Sequence, residues 1–99
     1  MAERRALSGT ELQELVEALE GWQVKDGKLH REYRFADFVQ AFGFMATSAF
    51  GIEKMNHHPE WLNVYGTVVV DLTTHDASGI TAKDFELARH LDRIASQFS

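Results

Sequence analysis

Three of the five histidines in this 99-residue chain fall in two short segments, His57-His58-Pro59-Glu60-Trp61 and Thr74-His75. Imidazole is the only side chain whose unperturbed pKa lies near neutrality. A cluster of imidazoles therefore points to proton transfer or metal ligation before other chemistry. Asn56 and Pro59 bracket the adjacent pair, and Pro59 biases His58 towards extended backbone, so both histidines fall just past a helix end. In that position a histidine can simply interact, as a cation, with the helix dipole. A third histidine at a nearby strand end makes the chemical reading the stronger one.

Zinc is the first rival to consider. It needs three or four converging ligands, usually at spacings such as His-x-x-x-His. Adjacent His57 and His58 project differently, and no short-range partner completes a set, so no metal is expected. Glu53 lies one turn before His57. On an ideal helical wheel it falls in line with Phe35, Phe42 and Ala46, where a carboxylate is costly unless it finds a hydrogen bond or a cation. Orienting an imidazole is one use for it; a frayed helix end that lets it reach solvent is the other reading. Asp84 lies three residues after Thr81, so it suits the N3 place of a capping box, and this does not preclude a second role in a site. Trp61 and Tyr65 suit a core or interface, or the wall of a flat heteroaromatic ligand.

Composition narrows the choices further. A net charge of −5 argues against nucleic acid as a direct ligand, because phosphate binding needs clustered Lys and Arg. With no cysteine, disulfides and thiolate chemistry are excluded. No apolar run approaches the roughly 20 residues that span a bilayer, and Met1-Ala2-Glu3-Arg4-Arg5 lacks the apolar segment of a secretory signal. A cytoplasmic protein is expected, nuclear as well if the source is an animal. No Gly-rich phosphate loop, nucleophilic serine arrangement or dinucleotide fingerprint occurs. The residues thus support acid/base chemistry on a small molecule without a cofactor.

The elements that must position these residues follow from periodicity. Residues 1–7 read as a flexible leader and 8–99 as a single domain. Leu12, Leu15 and Leu19 make one face of a first helix, with Thr10 as N-cap and Gly21 beyond its end. Trp22-Gln23-Val24 and Leu29 to Phe35 flank Asp26-Gly27, a strong hairpin signal. Ala36 to Met55 is the longest helix, with Phe35, Phe38, Val39, Phe42, Ala46 and Ala49 on one broad apolar face, and Phe44, Ile52 and Met55 outside it. A helix apolar over most of its circumference is buried on two sides, and in so small a chain the second side suggests another subunit. Trp61 to His75 reads as two β-rich strands turning at Tyr65-Gly66. Asp76-Ala77-Ser78-Gly79 is a loop, and Thr81 opens a last amphipathic helix with Leu87, Ala88, Leu91, Ile94, Ala95 and Phe98. The order α-β-β-α-β-β-α predicts an α+β fold, a four-stranded antiparallel sheet with three helices packed on one face.

Glu53-Lys54-Met55-Asn56-His57-His58-Pro59-Glu60-Trp61, with Asn63-Val64-Tyr65, Thr74-His75, Gly79 and Asp84, resembles the pterin-4a-carbinolamine dehydratase family. Phe42-Gly43-Phe44-Met45 is similar to it too, and the resemblance spans about residues 8–98. It implies dehydration of 4a-hydroxytetrahydrobiopterin, or a related 4a-hydroxytetrahydropterin, to the quinonoid dihydropterin. That step recycles the pterin of an aromatic amino acid hydroxylase, which is the expected functional link. The resemblance further implies His57, His58 and His75 in acid/base and substrate roles. Glu53 and Asp84 would orient them, Pro59 would be a further substrate-binding or orienting residue, and Trp61 would help wall the pterin. A homotetramer, a dimer of dimers, is the implied assembly. Some animal relatives also bind a homeodomain transcription factor as a dimerisation cofactor. That alternative role would use the helix surface around Phe44 and Met45 and leave the histidines dispensable.

Overall fold

The computed structural model describes residues 5–98. In chain order the elements are α1 (Gly9–Glu17), β1 (Gln23–Lys25), β2 (Lys28–Arg34), α2 (Phe38–Met55), β3 (Glu60–Val64), β4 (Thr67–Leu72) and α3 (Ala82–Ala95). All strand pairs are antiparallel and the sheet order is β1-β2-β4-β3. The predicted α+β architecture and its α-β-β-α-β-β-α order are therefore what the chain forms. Each hairpin is local, and α2 is the link that carries the second hairpin back so that β4 pairs with β2.

Strand alternation decides which face is covered. Leu29 and Tyr33 of β2 and Val68, Val70 and Leu72 of β4 are buried, while their alternates Lys28, His30, Val69 and Asp71 lie on the opposite, open face. The covered face meets Phe44 and Ile52 of α2 and Phe85, Leu87, Ala88 and Leu91 of α3 in one core. Both predicted turns form. Asp26 (φ 53°) and Gly27 (φ 78°) take the paired left-handed conformations of a two-residue hairpin loop. At the second turn, the side-chain amide of Asn63 donates to the carbonyls of Tyr65 and Thr67, each at 2.9 Å. Gly66 of that turn accepts the Phe35 N–H at 2.8 Å, and a Cβ there would lie 2.7 Å from the Phe35 carbonyl oxygen. Backbone cannot rotate away as a side chain can. Gly66→Ala is therefore expected to cost about 1–3 kcal/mol, read as a lower midpoint in urea unfolding.

Three local expectations need correction. Ser8, not Thr10, is the N-cap of α1, and the helix ends with Ala18 as C-cap, before Gly21. Its start is set from upstream, because the Leu7 N–H donates to the Ile80 carbonyl at 2.7 Å and the Leu7 side chain is buried. The leader expected at 1–7 falls partly on residues 1–4, outside the described residues; at its other end Leu7 is packed into the core.

The long helix departs most. Its buried residues are Ala41, Phe44, Ser48 and Ile52, so the face that meets the sheet includes two residues that the wheel places outside the apolar stripe. Most of the stripe points outwards: Phe38 and Phe42 are half-exposed and Val39 is 76% exposed, beside Phe50 at 81%, while Phe35 packs against the core. Phe44 is wholly buried, so its side chain is not available to a partner, whereas Met45 beside it is only partly buried. Both sides of α2 are apolar, and a wheel alone cannot say which side the sheet takes.

A polar cluster unmarked in the sequence ties the first hairpin to α3. Asp92 accepts from Trp22 Nε1 (3.0 Å), Arg31 (3.0 Å) and the Tyr33 hydroxyl. Burial first, and then the bond to Asp92, holds the Tyr33 phenol well above its ordinary pKa. It therefore remains a donor.

Candidate active site

A cleft of about 470 Å³ opens where the end of α2, the start of β3, the end of β4 and the start of α3 meet. That volume is within the range of small-molecule sites. His57, His58 and His75 all line it, together with Pro59, so the two histidine segments are brought together as the sequence predicts. Asn56 is the reason the first pair sits there. It ends α2 in the left-handed conformation (φ 53°), which turns the chain out of the helix and into β3.

Each histidine has a carboxylate near its Nε2. His57 Nε2 lies 2.6 Å from Asp84 Oδ1, with the imidazole 11% exposed and the carboxylate fully buried. A carboxylate accepts, so Nε2 carries the donated proton and Nδ1 is the acceptor of the neutral ring. His58 Nε2 lies 3.0 Å from Glu53 Oε1, in a pair open to solvent. His75 begins a 3₁₀ turn just past Thr74 and stands 3.9 Å from Glu60 Oε2. Glu53 thus reaches a histidine, but from the exposed outer stripe of α2 and not from a buried place. Its carboxylate escapes the desolvation that burial on an apolar face would impose.

Asp84 carries two functions at once. Its Oδ2 accepts the Thr81 N–H (2.9 Å) and the Thr74 hydroxyl (2.8 Å), while the Thr81 hydroxyl accepts the Lys83 N–H, closing a capping box on α3. Its other oxygen faces His57. Buried polar groups need such full partnering. The cap fixes the carboxylate, and the carboxylate fixes the imidazole. Thr74 is the link that motif reading left without a role, because a threonine at a strand end carries no signal until its partner across the fold is known. Thr74→Val keeps the shape and removes the donor, and is expected to lower stability by about 1–3 kcal/mol in denaturant titration.

Trp61 stands apart from the cleft. It is half-buried on the core side of β3, with its ring edge-on to Phe44 at 6.4 Å between centroids. Tyr65 is exposed at the far turn. In their place Glu60, Thr73 and Lys83 line the cleft; Glu60 belongs to the motif without a role assigned from it, and Thr73 and Lys83 carry only adjacency to motif residues as a signal. Among the described residues, no three His, Cys, Asp or Glu side chains are grouped to hold a metal ion. No helix among them is long and apolar enough to cross a membrane.

Comparison with known proteins agrees with this arrangement over nearly the whole chain. Residues 5–94 match the family model described as Pterin 4 alpha carbinolamine dehydratase. A relative from Solibacter usitatus, which carries the pterin-4-alpha-carbinolamine dehydratase name, is 59% identical over 90 residues, covering 91% of this chain and 95% of its own. One of the same name from Rhodopseudomonas palustris is 48% identical over 100 residues, covering 99% and 97%. The crystal structure of a transcriptional coactivator/pterin dehydratase from Brucella melitensis superposes with a TM-score of 0.88 at 45% identity, covering 92% of this chain and 99% of that one. Histidine-lined cleft, fold and sequence point the same way, and the chain belongs to the pterin-4a-carbinolamine dehydratase family.

Proposed function

We propose that this protein dehydrates a 4a-hydroxytetrahydropterin, such as 4a-hydroxytetrahydrobiopterin, to the quinonoid dihydropterin by histidine acid/base catalysis. The observation that carries the reading is the convergence of His57, His58 and His75 on one cleft, two of them hydrogen-bonded to carboxylates. In the reaction the C4a–O bond breaks and the hydroxyl leaves as water after taking up a proton. A ring nitrogen loses its proton, and its electrons form the new double bond to C4a. One group must therefore give a proton and another must take one. His57, with Nε2–H committed to Asp84 and Nδ1 as its basic nitrogen, suits the acceptor. His58 and His75, more exposed, suit donation and substrate contact. Such steps contribute about 10²–10⁴-fold each in enzymes. The cleft needs no cofactor for this chemistry, and the product would return to an aromatic amino acid hydroxylase as its recycled pterin.

The direct test follows the absorbance of freshly generated 4a-hydroxytetrahydropterin with and without the protein. Faster loss with the protein is the expected result; an unchanged rate with folded protein would reject the reading.

The exposed stripe of Phe38, Val39, Phe42 and Phe50 supports a second, compatible reading. Apolar surface of this kind on a small domain marks an interface. The stripe suits a helix-to-helix contact between copies, on the way to a homotetramer, or a partner such as a transcription factor. The coactivator name of the Brucella melitensis protein favours keeping the latter. Phe42→Glu is expected to shift sedimentation towards the single subunit while leaving each subunit's far-ultraviolet circular dichroism intact.

A further inference from the structure

Glu60 is divided between two partners. Its Oε1 lies 2.6 Å from Lys28 Nζ and its Oε2 3.9 Å from His75 Nε2. Lys28 opens β2, and β4 lies between β2 and β3, so the ammonium reaches across a strand on the open face to meet the first residue of β3. Asp71 of β4 is the nearer carboxylate in sheet order. It is taken by His30, whose Nδ1 is 2.8 Å from Asp71 Oδ1, and it acts on Lys28 only through its charge. The hydrogen bond to Glu60 is the largest of the influences that hold the Lys28 pKa above its ordinary value.

His57 and His58 each have a carboxylate within hydrogen-bond distance, whereas His75 Nε2 has Glu60, the carboxylate that Lys28 holds, at 3.9 Å. His75 is 83% exposed, so packing does little to orient it. We infer that Glu60 is the positioning residue of His75, and that Lys28, on the open face of the sheet, holds Glu60 in that place. With Oε1 anchored, Oε2 remains turned towards the imidazole. Without the anchor, the carboxylate rotates freely and His75 loses its electrostatic bias in orientation. Ion pairs this exposed add little to stability, so the consequence falls on the geometry of His75 and not on folding.

The catalytic arm of this inference rests on the dehydratase reading, and the spectroscopic arm does not. With ring-labelled histidine, long-range proton–nitrogen spectra of Glu60→Gln are expected to show displaced His75 ring signals and unmoved His57 signals. In turnover, Glu60→Gln should lower kcat by about 10-fold with KM within about twofold, since small misplacements of a reacting group cost rate and not binding. Lys28→Met should lose about threefold, Lys28→Arg should retain activity, and the double variant should be no slower than Glu60→Gln, because Lys28 acts through Glu60. Unmoved His75 signals in Glu60→Gln, or losses that multiply in the double variant, would overturn the inference. If wild type proves inactive but the His75 signals still move, the dehydratase reading falls and the positioning of His75 by Glu60 stands.

Discussion

Replacing His57 by Ala is expected to lower kcat/KM for the 4a-hydroxytetrahydropterin by about 10²–10⁴-fold, the usual worth of a positioned acid/base group. Of the three cleft histidines, His57 is the most enclosed and has the shortest bond to a carboxylate. The fold should survive the change, because the Asp84 carboxylate keeps the Thr81 N–H and the Thr74 hydroxyl as donors. A modest loss of stability remains, since one oxygen of a buried carboxylate is left without its partner. Circular dichroism with single-turnover kinetics separates the two effects. His75→Ala provides the comparison: its ring is exposed, so its removal should cost activity with almost no change in unfolding midpoint. Full activity in both variants, with folding intact, would remove the histidines from the mechanism.

Substitutions at Asp84 should split into two outcomes. Asp84→Ala removes the capping box, strands the Thr81 N–H in the interior, and leaves His57 without its acceptor. Breaking a buried, hydrogen-bonded pair from one side costs about 3–5 kcal/mol, a large share of the 5–15 kcal/mol typical of whole domains. Asp84→Asn differs. Its amide carbonyl can take the place of Oδ2 and keep the cap, but its NH₂ then faces His57 Nε2. Two donors cannot share a hydrogen bond, so the ring must place its proton on Nδ1 and offer Nε2 as acceptor. The basic nitrogen then points at the asparagine and away from any substrate on the other side. Asp84→Asn is therefore expected to lose about 1.5–3 kcal/mol of stability, the worth of one charged hydrogen bond, yet to lose activity nearly as far as His57→Ala. Urea unfolding and kcat/KM measured on the same preparations give both numbers. Retained activity in Asp84→Asn beside a loss in Asp84→Ala would mean that Asp84 matters to the cleft only through the cap of α3.

The sequence alone determined much of this. Turn chemistry at Asp26-Gly27 and Tyr65-Gly66, β-branched runs and the spacing of leucines are local signals. They placed both hairpins and all three helices to within a few residues. The Thr81–Asp84 capping box was equally legible, because a cap is a contact within four residues. So was the grouping of His57, His58 and His75, which the family motif carries. Only the tertiary structure decided which side of α2 enters the core. Phe44 and Ile52 compete there with Phe38, Phe42 and Phe50, and the choice depends on how the sheet docks, which no wheel encodes. Packing likewise gave Asp84 its second partner, turned Trp61 towards Phe44 and away from the cleft, and set Lys28 beside Glu60 across an intervening strand. The physical reason is common to all of these. Periodicity, caps and turns depend on neighbours in sequence. The partner of a buried or bridging polar group depends on the distance between elements far apart in the chain.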